Sequence, residues 1–138
     1  MRRRATLSVF ALAIFLIGSW TVQSGSQAAG NGIPSKAYFA GGCFWCMEEA
    51  FEKVEGVLSA TSGYMGGTVA NPSYEAVSAG RTGHAESVEV VYDPAKVSYQ
   101  RLLDAFWHNV DPVTPNAQFC DHGSQYRSAI FFQTEEEK

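Results

Sequence analysis

Three cysteines, Cys43, Cys46 and Cys120, carry the most reactive chemistry in this 138-residue chain. Cys43-Phe44-Trp45-Cys46 is a Cys-x-x-Cys unit that opens a helical pattern, where free backbone N–H groups and the helix dipole favour a thiolate. Glu48 and Glu49 oppose this, being anionic and one turn away. An odd number of cysteines leaves at least one thiol unpaired or reactive even where disulfides form. The plain alternative is a small disulfide or a pair of buried thiols. A zinc site from Cys43, Cys46, Cys120 and His122 is a third reading, for which Cys-x-His is a poor second half. A reactive thiolate needs an electrophile held beside it. Phe44 and Trp45 are placed to line an apolar pocket at the sulfur, or simply to fill a core. Gly41-Gly42 lets backbone come close to a bound group. Glu86 shares a strand side with Val88 and Val90. On an apolar face its carboxyl would be desolvated and its pKa raised, leaving it able to donate a proton; otherwise it is a strand-end carboxylate turned to water.

The elements that must position these residues follow from hydrophobic spacing. Lys36 to Ala40 is a buried strand ending at Gly41-Gly42. Phe44, Met47, Phe51 and Val54 recur at helical spacing, with Gly56 as the stop. Val57 to Tyr64 reads as a strand entering the Gly66-Gly67 turn, and Tyr74 to Ala79 as one or two helical turns. Glu86 to Tyr92 alternates as a strand does, closed by Asp93-Pro94. Ser98 caps a helix with Tyr99, Leu102, Leu103, Phe106 and Val110 on one face, and Trp107 reads as core. Asp111 to Ser124 is a long loop, which in a small domain is more often functional than idle. Arg127 to Gln133 is the last strand. The order strand, helix, strand, strand, helix, strand predicts an α+β fold, a two-layer sandwich with a ferredoxin-like core. Thr134 to Glu137 has the signature of a helix start, and the chain stops at Lys138. A start signal with no helix behind it reads as a C-terminally incomplete domain.

Hydrophobic residues make up 46% of the chain and charged residues 17%, the balance of a folded domain rather than a disordered one. Residues 1–28 hold three arginines and no acids, so the remainder has seven cations against fourteen acids, a charge of −7. Such an acidic body has no electrostatic footprint for nucleic acid. Arg2, Arg3 and Arg4, the apolar run from Leu7 to Ile17, and Ser26-Gln27-Ala28 form the plan of a secretory signal peptide. Cleavage after Ala28 is the first choice and after Ala29 the second. The competing reading is an uncleaved membrane anchor over Ala5 to Val22. Either places the globular part outside the cytoplasm, in the periplasm or anchored facing it. Residues 29–36 are then a flexible lead-in and 37–138 the domain.

Taken in order, several short motifs resemble the class A peptide methionine sulfoxide reductases. They are Gly-Cys-Phe-Trp at Gly42 to Trp45, Gly-Tyr-x-Gly-Gly at Gly63 to Gly67 and Asn-Pro-x-Tyr at Asn71 to Tyr74. Thr-Gly-His-Ala-Glu follows at Thr82 to Glu86, then Tyr-Asp-Pro at Tyr92 to Pro94 and Asp-His-Gly-Ser-Gln-Tyr-Arg-Ser at Asp121 to Ser128. The resemblance runs from about Tyr38 to Phe132. It implies that Cys43 is the nucleophile, that Phe44 and Trp45 hold the substrate methyl group, and that Glu86, Tyr74 and Tyr126 surround the sulfoxide oxygen. Asp121 is the remaining polar member of the site. It further implies reduction of methionine S-sulfoxide, free or in proteins, with no cofactor or metal. Cys43 would become a sulfenic acid. Here the sequence departs from many relatives, which have Gly after Phe-Trp and recycling cysteines near the C-terminus: Cys46 takes that Gly's place, and its nearness to Cys43 on one helical turn makes it the expected resolving thiol, with Cys120 as the rival. The chemistry is consistent: a sulfoxide is a poor electrophile until its oxygen is protonated or hydrogen-bonded, which asks for neutral donors beside a thiolate.

Two other functions compete. One is a thiol–disulfide oxidoreductase acting through Cys43-Phe44-Trp45-Cys46, although Phe-Trp suits that pattern poorly. The other is a non-enzymatic, disulfide-stabilised binding module. For the reductase, thioredoxin or a thioredoxin-like periplasmic thiol donor is the expected partner, and a monomer the expected state. His84 and His122 receive no catalytic role.

Overall fold

The computed structural model describes residues 32–138; the signal-peptide reading for residues 1–28 lies outside them. The elements are β1 (Ser35–Gly41), α1 (Phe44–Glu52), β2 (Val57–Met65), α2 (Tyr74–Ser78), β3 (Ala85–Tyr92), α3 (Tyr99–His108), β4 (Ala117–Gln118), β5 (Asp121–His122) and β6 (Ser128–Ile130). Four strands form one antiparallel sheet in the order β2-β3-β1-β6, with β4 and β5 as a separate two-stranded hairpin. With α1 and α3 laid on one face, this is the expected ferredoxin-like α+β sandwich.

The alternation of β3 builds the layer boundary. Glu86, Val88, Val90 and Tyr92 are buried, whereas Glu89 and Val91 are partly open on the other face. Phe39 of β1 is fully buried and stacks on Phe51 of α1 at 4.8 Å and on Phe106 of α3 at 5.4 Å. That three-ring stack ties both helices to the central strand. Burying each such ring is worth roughly 1.5–3 kcal/mol.

Several boundaries differ from the sequence reading. β1 begins at Ser35, one residue before the expected strand and within the expected lead-in, because Ser35 pairs with Tyr92 as Lys36 does with Val91, and the Lys36 ammonium reaches Glu89 at 2.9 Å. α1 ends at Glu52, one turn before the expected stop, and Val54 packs against the core from the turn that Gly56 (φ +95°) completes. Trp107 is not core: it is 48% exposed, set one position off the buried stripe, and meets Phe106 edge-on at 4.9 Å. The 111–124 segment is not all loop, since β4 and β5 pair within it. The last strand is shorter than expected, Ser128–Ile130, and follows a 3₁₀ turn over Ser124–Tyr126; one further bond, from the Phe131 N–H to the Tyr38 carbonyl, extends the pairing. At the C-terminal end the Glu137 N–H points at the Thr134 carbonyl and hydroxyl, both at 3.3 Å, forming a turn.

Candidate active site

Cys43 occupies the N-cap of α1, with no side-chain cap hydrogen bond, and its carbonyl accepts from the Cys46 and Met47 N–H groups. Cys43 is half-buried, Cys46 and Cys120 are exposed, and all three are free thiols. The Cys46 thiol is held above its ordinary pKa, first by hydrogen bonding with the Cys43 sulfur, then by burial, then by the charges of Cys43, Asp121 and Glu49. Neither glutamate opposes Cys43 as directly as the sequence suggests. Glu48 turns to β2, accepting from the Ser62 N–H at 2.8 Å and from its hydroxyl, and Glu49 pairs with Lys53 at 2.7 Å.

Glu86 is the buried carboxyl of the site. It is 2% exposed, and its Oε2 accepts from the Phe44 N–H at 3.1 Å, so it sits against the first turn of the helix that Cys43 caps. Burial pushes its pKa up; the Phe44 N–H pulls the other way, and the charge of Asp121 adds to the rise. Across the β2–β3 ladder Glu86 stands opposite Tyr64. The apolar face, not the solvent, is therefore where this carboxyl lies.

Aromatic rings form the rest of the enclosure. Phe44 is buried, with its ring 5.1 Å from Trp45, 5.7 Å from Tyr64 and 6.3 Å from Tyr74; Trp45 and Tyr74 stack at 5.9 Å. Trp45 (61% exposed) and Tyr74 (44% exposed) leave this group open to solvent on one side. Tyr126 is raised in pKa by burial first and then by the charges of Glu86, Asp121 and Tyr74, so these three groups lie near its hydroxyl. Its position is fixed by the buried Gln125 beside it, which donates to the Ser78 carbonyl at the end of α2 at 2.9 Å. That bond ties the turn carrying Tyr126 to the helix carrying Tyr74.

The structure thus brings Cys43, Cys46, Phe44, Trp45, Glu86, Tyr74, Tyr126 and Asp121 together. Cys120 sits at the tip of the β4–β5 hairpin, between Phe119 and Asp121. Those two neighbours line a cavity of about 280 Å³ with Cys43, Cys46, His108 and Asn109, but Cys120 itself does not. Among the described residues no three His, Cys, Asp or Glu side chains are grouped to hold a metal ion, so the zinc reading has no cluster to rest on. The Gly41-Gly42 pair serves the protein's own packing. A Cβ at Gly42 (φ +90°) would meet Gln118 at 2.6 Å, and one at Gly41 would meet Val110 at 2.6 Å.

Sequence reasoning missed two contributors. Tyr64 raises no suspicion by itself, though it lies inside the Gly63–Gly67 motif and its ring closes the group around Phe44. Gln118, only 1% exposed, accepts from the Asp111 N–H at 2.7 Å and donates to the Asp111 carbonyl and the Ser128 hydroxyl, pinning the hairpin beneath Gly42. His84 has a structural part: it accepts from the Gly67 N–H at 3.2 Å and bonds the Val69 carbonyl at 2.9 Å, holding the segment between β2 and α2.

A thiol at a helix start, a buried carboxyl with a raised pKa and an open aromatic enclosure thus meet on one ferredoxin-like sandwich. Residues 35–138 match the family described as peptide methionine sulfoxide reductase, and the chain belongs to it. It is 57% identical over 103 residues to the peptide methionine sulfoxide reductase MsrA of Methanoculleus marisnigri, covering 75% of this chain and 63% of that protein. It is 50% identical over 103 residues to MsrA of Halalkalibacterium halodurans, covering 75% of this chain and 58% of the relative. Among solved structures, methionine sulfoxide reductase A of Corynebacterium diphtheriae superposes with a TM-score of 0.73 at 37% identity, covering 79% of this chain and 51% of that one. Reduced Mxr1 of Saccharomyces cerevisiae gives 0.71 at 31% identity, covering 75% and 62%. The chain spans roughly three-fifths of the curated relatives it matches.

Proposed function

We propose that this protein reduces methionine S-sulfoxide, free or in oxidised proteins, to methionine at the expense of two thiols. The observation that carries the reading is the buried Glu86 carboxyl on the Phe44 N–H, one residue from the Cys43 sulfur, with pKa raised by burial. Cys43 attacks the sulfoxide sulfur as a thiolate. Glu86 delivers a proton to the departing oxygen, and the Tyr74 and Tyr126 hydroxyls hold that oxygen as neutral donors. Phe44 and Trp45 receive the methyl group. The protonated oxygen passes from the methionine sulfur to the Cys43 sulfur as the bond between the two sulfurs breaks, so methionine leaves and Cys43 becomes a sulfenic acid; the Cys46 thiol then displaces water to form the Cys43–Cys46 disulfide. Asp121 completes the polar rim and raises both Glu86 and Tyr126, favouring their protonated forms.

The disulfide is returned to thiols by thioredoxin or a thioredoxin-like periplasmic donor acting on a monomer. Export is read from the sequence of residues 1–28, as a cleaved signal or an anchor. The decisive experiment is turnover of the separate S and R sulfoxides with dithiothreitol, comparing wild type with Cys43→Ser. S-selective turnover that falls below a tenth in Cys43→Ser is the expected result. Sulfoxide-independent insulin reduction instead would establish the Cys-x-x-Cys oxidoreductase.

A further inference from the structure

A second cavity, of about 690 Å³, runs between α1 and α3, and nothing above uses it. His108 and Asn109 line both it and the smaller cavity that holds Cys43 and Cys46, so the two adjoin at the end of α3. Its charge is unlike the rest of the molecule. From residue 32 onward the chain has seven Lys and Arg against fourteen acids, yet Lys53, Lys96 and Arg101, three of those seven, line this one groove. Glu55 is its one acidic lining residue. Lys53 is engaged by Glu49, and Lys96 reaches Asp93 only at 3.9 Å. Among the described residues Arg101 has no carboxylate within ion-pair distance.

We propose that this groove binds a low-molecular-weight anionic thiol and guides its sulfur to the Cys43–Cys46 disulfide, an inference that rests on the disulfide of the proposed function. The dimensions suit a peptide-sized thiol. Seven steps along α3 lead from Arg101 to His108, about 10 Å of helix axis at 1.5 Å per residue, and the extended path from the γ-glutamyl carboxylate to the cysteine sulfur of glutathione is about the same length. A carboxylate on Arg101 and Lys96 leaves the sulfur at His108, facing the exposed Cys46. The thiolate attacks the Cys46 sulfur, the Cys43–Cys46 bond breaks, and Cys43 leaves as a thiolate that takes up a proton. A second thiol molecule attacks the resulting mixed disulfide, releasing the oxidised thiol dimer and the Cys46 thiol. Two donor thiols are oxidised and one protein disulfide is reduced.

Anionic glutathione, neutral dithiothreitol and cationic cysteamine, compared as reductants, provide the test on the full chain. Arg101→Glu should lower the ratio of kcat/KM with glutathione to that with dithiothreitol at least tenfold, and raise the same ratio for cysteamine; Lys96→Glu should act in the same direction. Added salt should depress the glutathione ratio selectively. S-methylglutathione, which cannot react, should shift the amide NMR signals of Val97, Arg101 and Ala105 in wild type and not in Arg101→Glu. Equal losses with all three reductants, or no amide shifts, would overturn the groove. Absence of dithiothreitol turnover counts against the reductase reading alone, because S-methylglutathione binding is measured without it.

Discussion

Glu86→Gln keeps the side chain's shape and its acceptor for the Phe44 N–H but removes the acidic proton. The sulfenic acid-forming step should slow by roughly 10²–10⁴, the range of general acid catalysis, in single-turnover measurements; an unchanged rate would remove Glu86 from the reaction. In wild type the same step should fall as pH rises through the raised Glu86 value, a limb that Glu86→Gln lacks. Stability should change in the same sense. Because folding raises this pKa, the carboxyl's contribution is complete below the ordinary glutamate range and is lost as pH rises through the folded value. Glu86→Gln should therefore unfold at higher urea than wild type at neutral pH, with the gap closing in acid. At this scale the sequence was informative wherever a periodicity fixed direction: two-residue alternation with Val88 and Val90 turned Glu86 inward. It was silent on Tyr64, because a tyrosine opposite Glu86 is visible only once the β2–β3 register is known.

The β4–β5 hairpin shows what pattern reading loses at the level of elements. Its strands have two residues each and its tip is Phe119-Cys120, with none of the Asn-Gly or Asp-Gly chemistry that marks tight hairpins. Phe119 holds φ +51° while 77% exposed, so its ring gains little from burial in return for a left-handed backbone. Phe119→Gly should raise stability by about 1 kcal/mol, read as a higher denaturant midpoint at unchanged slope; a lower midpoint would mean that the ring's packing outweighs the strain. Gln118→Ala should act oppositely, costing about 1–3 kcal/mol by stranding the Asp111 N–H and carbonyl that its amide satisfies. Longer elements were legible because their signals agree at several levels. Ser98 caps α3 by accepting from the Arg101 N–H at 3.2 Å, ahead of a stripe that buries Leu102 and Phe106.

Across the whole molecule, counting strands and helices foretells two layers but not which strands become neighbours. The order β2-β3-β1-β6 puts β3 beside β1, so Glu86 of the third sheet strand arrives at the helix start that follows the first. This geometry also bears on which thiol resolves the sulfenic acid. Cys46 lies three residues from Cys43 on the first turn of α1, lines the same cavity, and has its thiol kept protonated by the Cys43 sulfur. Closing that pair requires only a slight opening of one helical turn, since Cα atoms three apart on a helix fall near the lower end of the disulfide range. Cys120 does not line that cavity, and Gln118 holds its hairpin to Asp111 and to Ser128 of the sheet edge. Cys46→Ser should accordingly complete one turnover and stall with oxidised Cys43 when a thioredoxin-type donor is used, whereas Cys120→Ser should recycle nearly as wild type does. Mass spectrometry after one equivalent of sulfoxide decides between them: a Cys43–Cys46 disulfide is expected, and a Cys43–Cys120 bridge would show that the hairpin, not the helix turn, yields first.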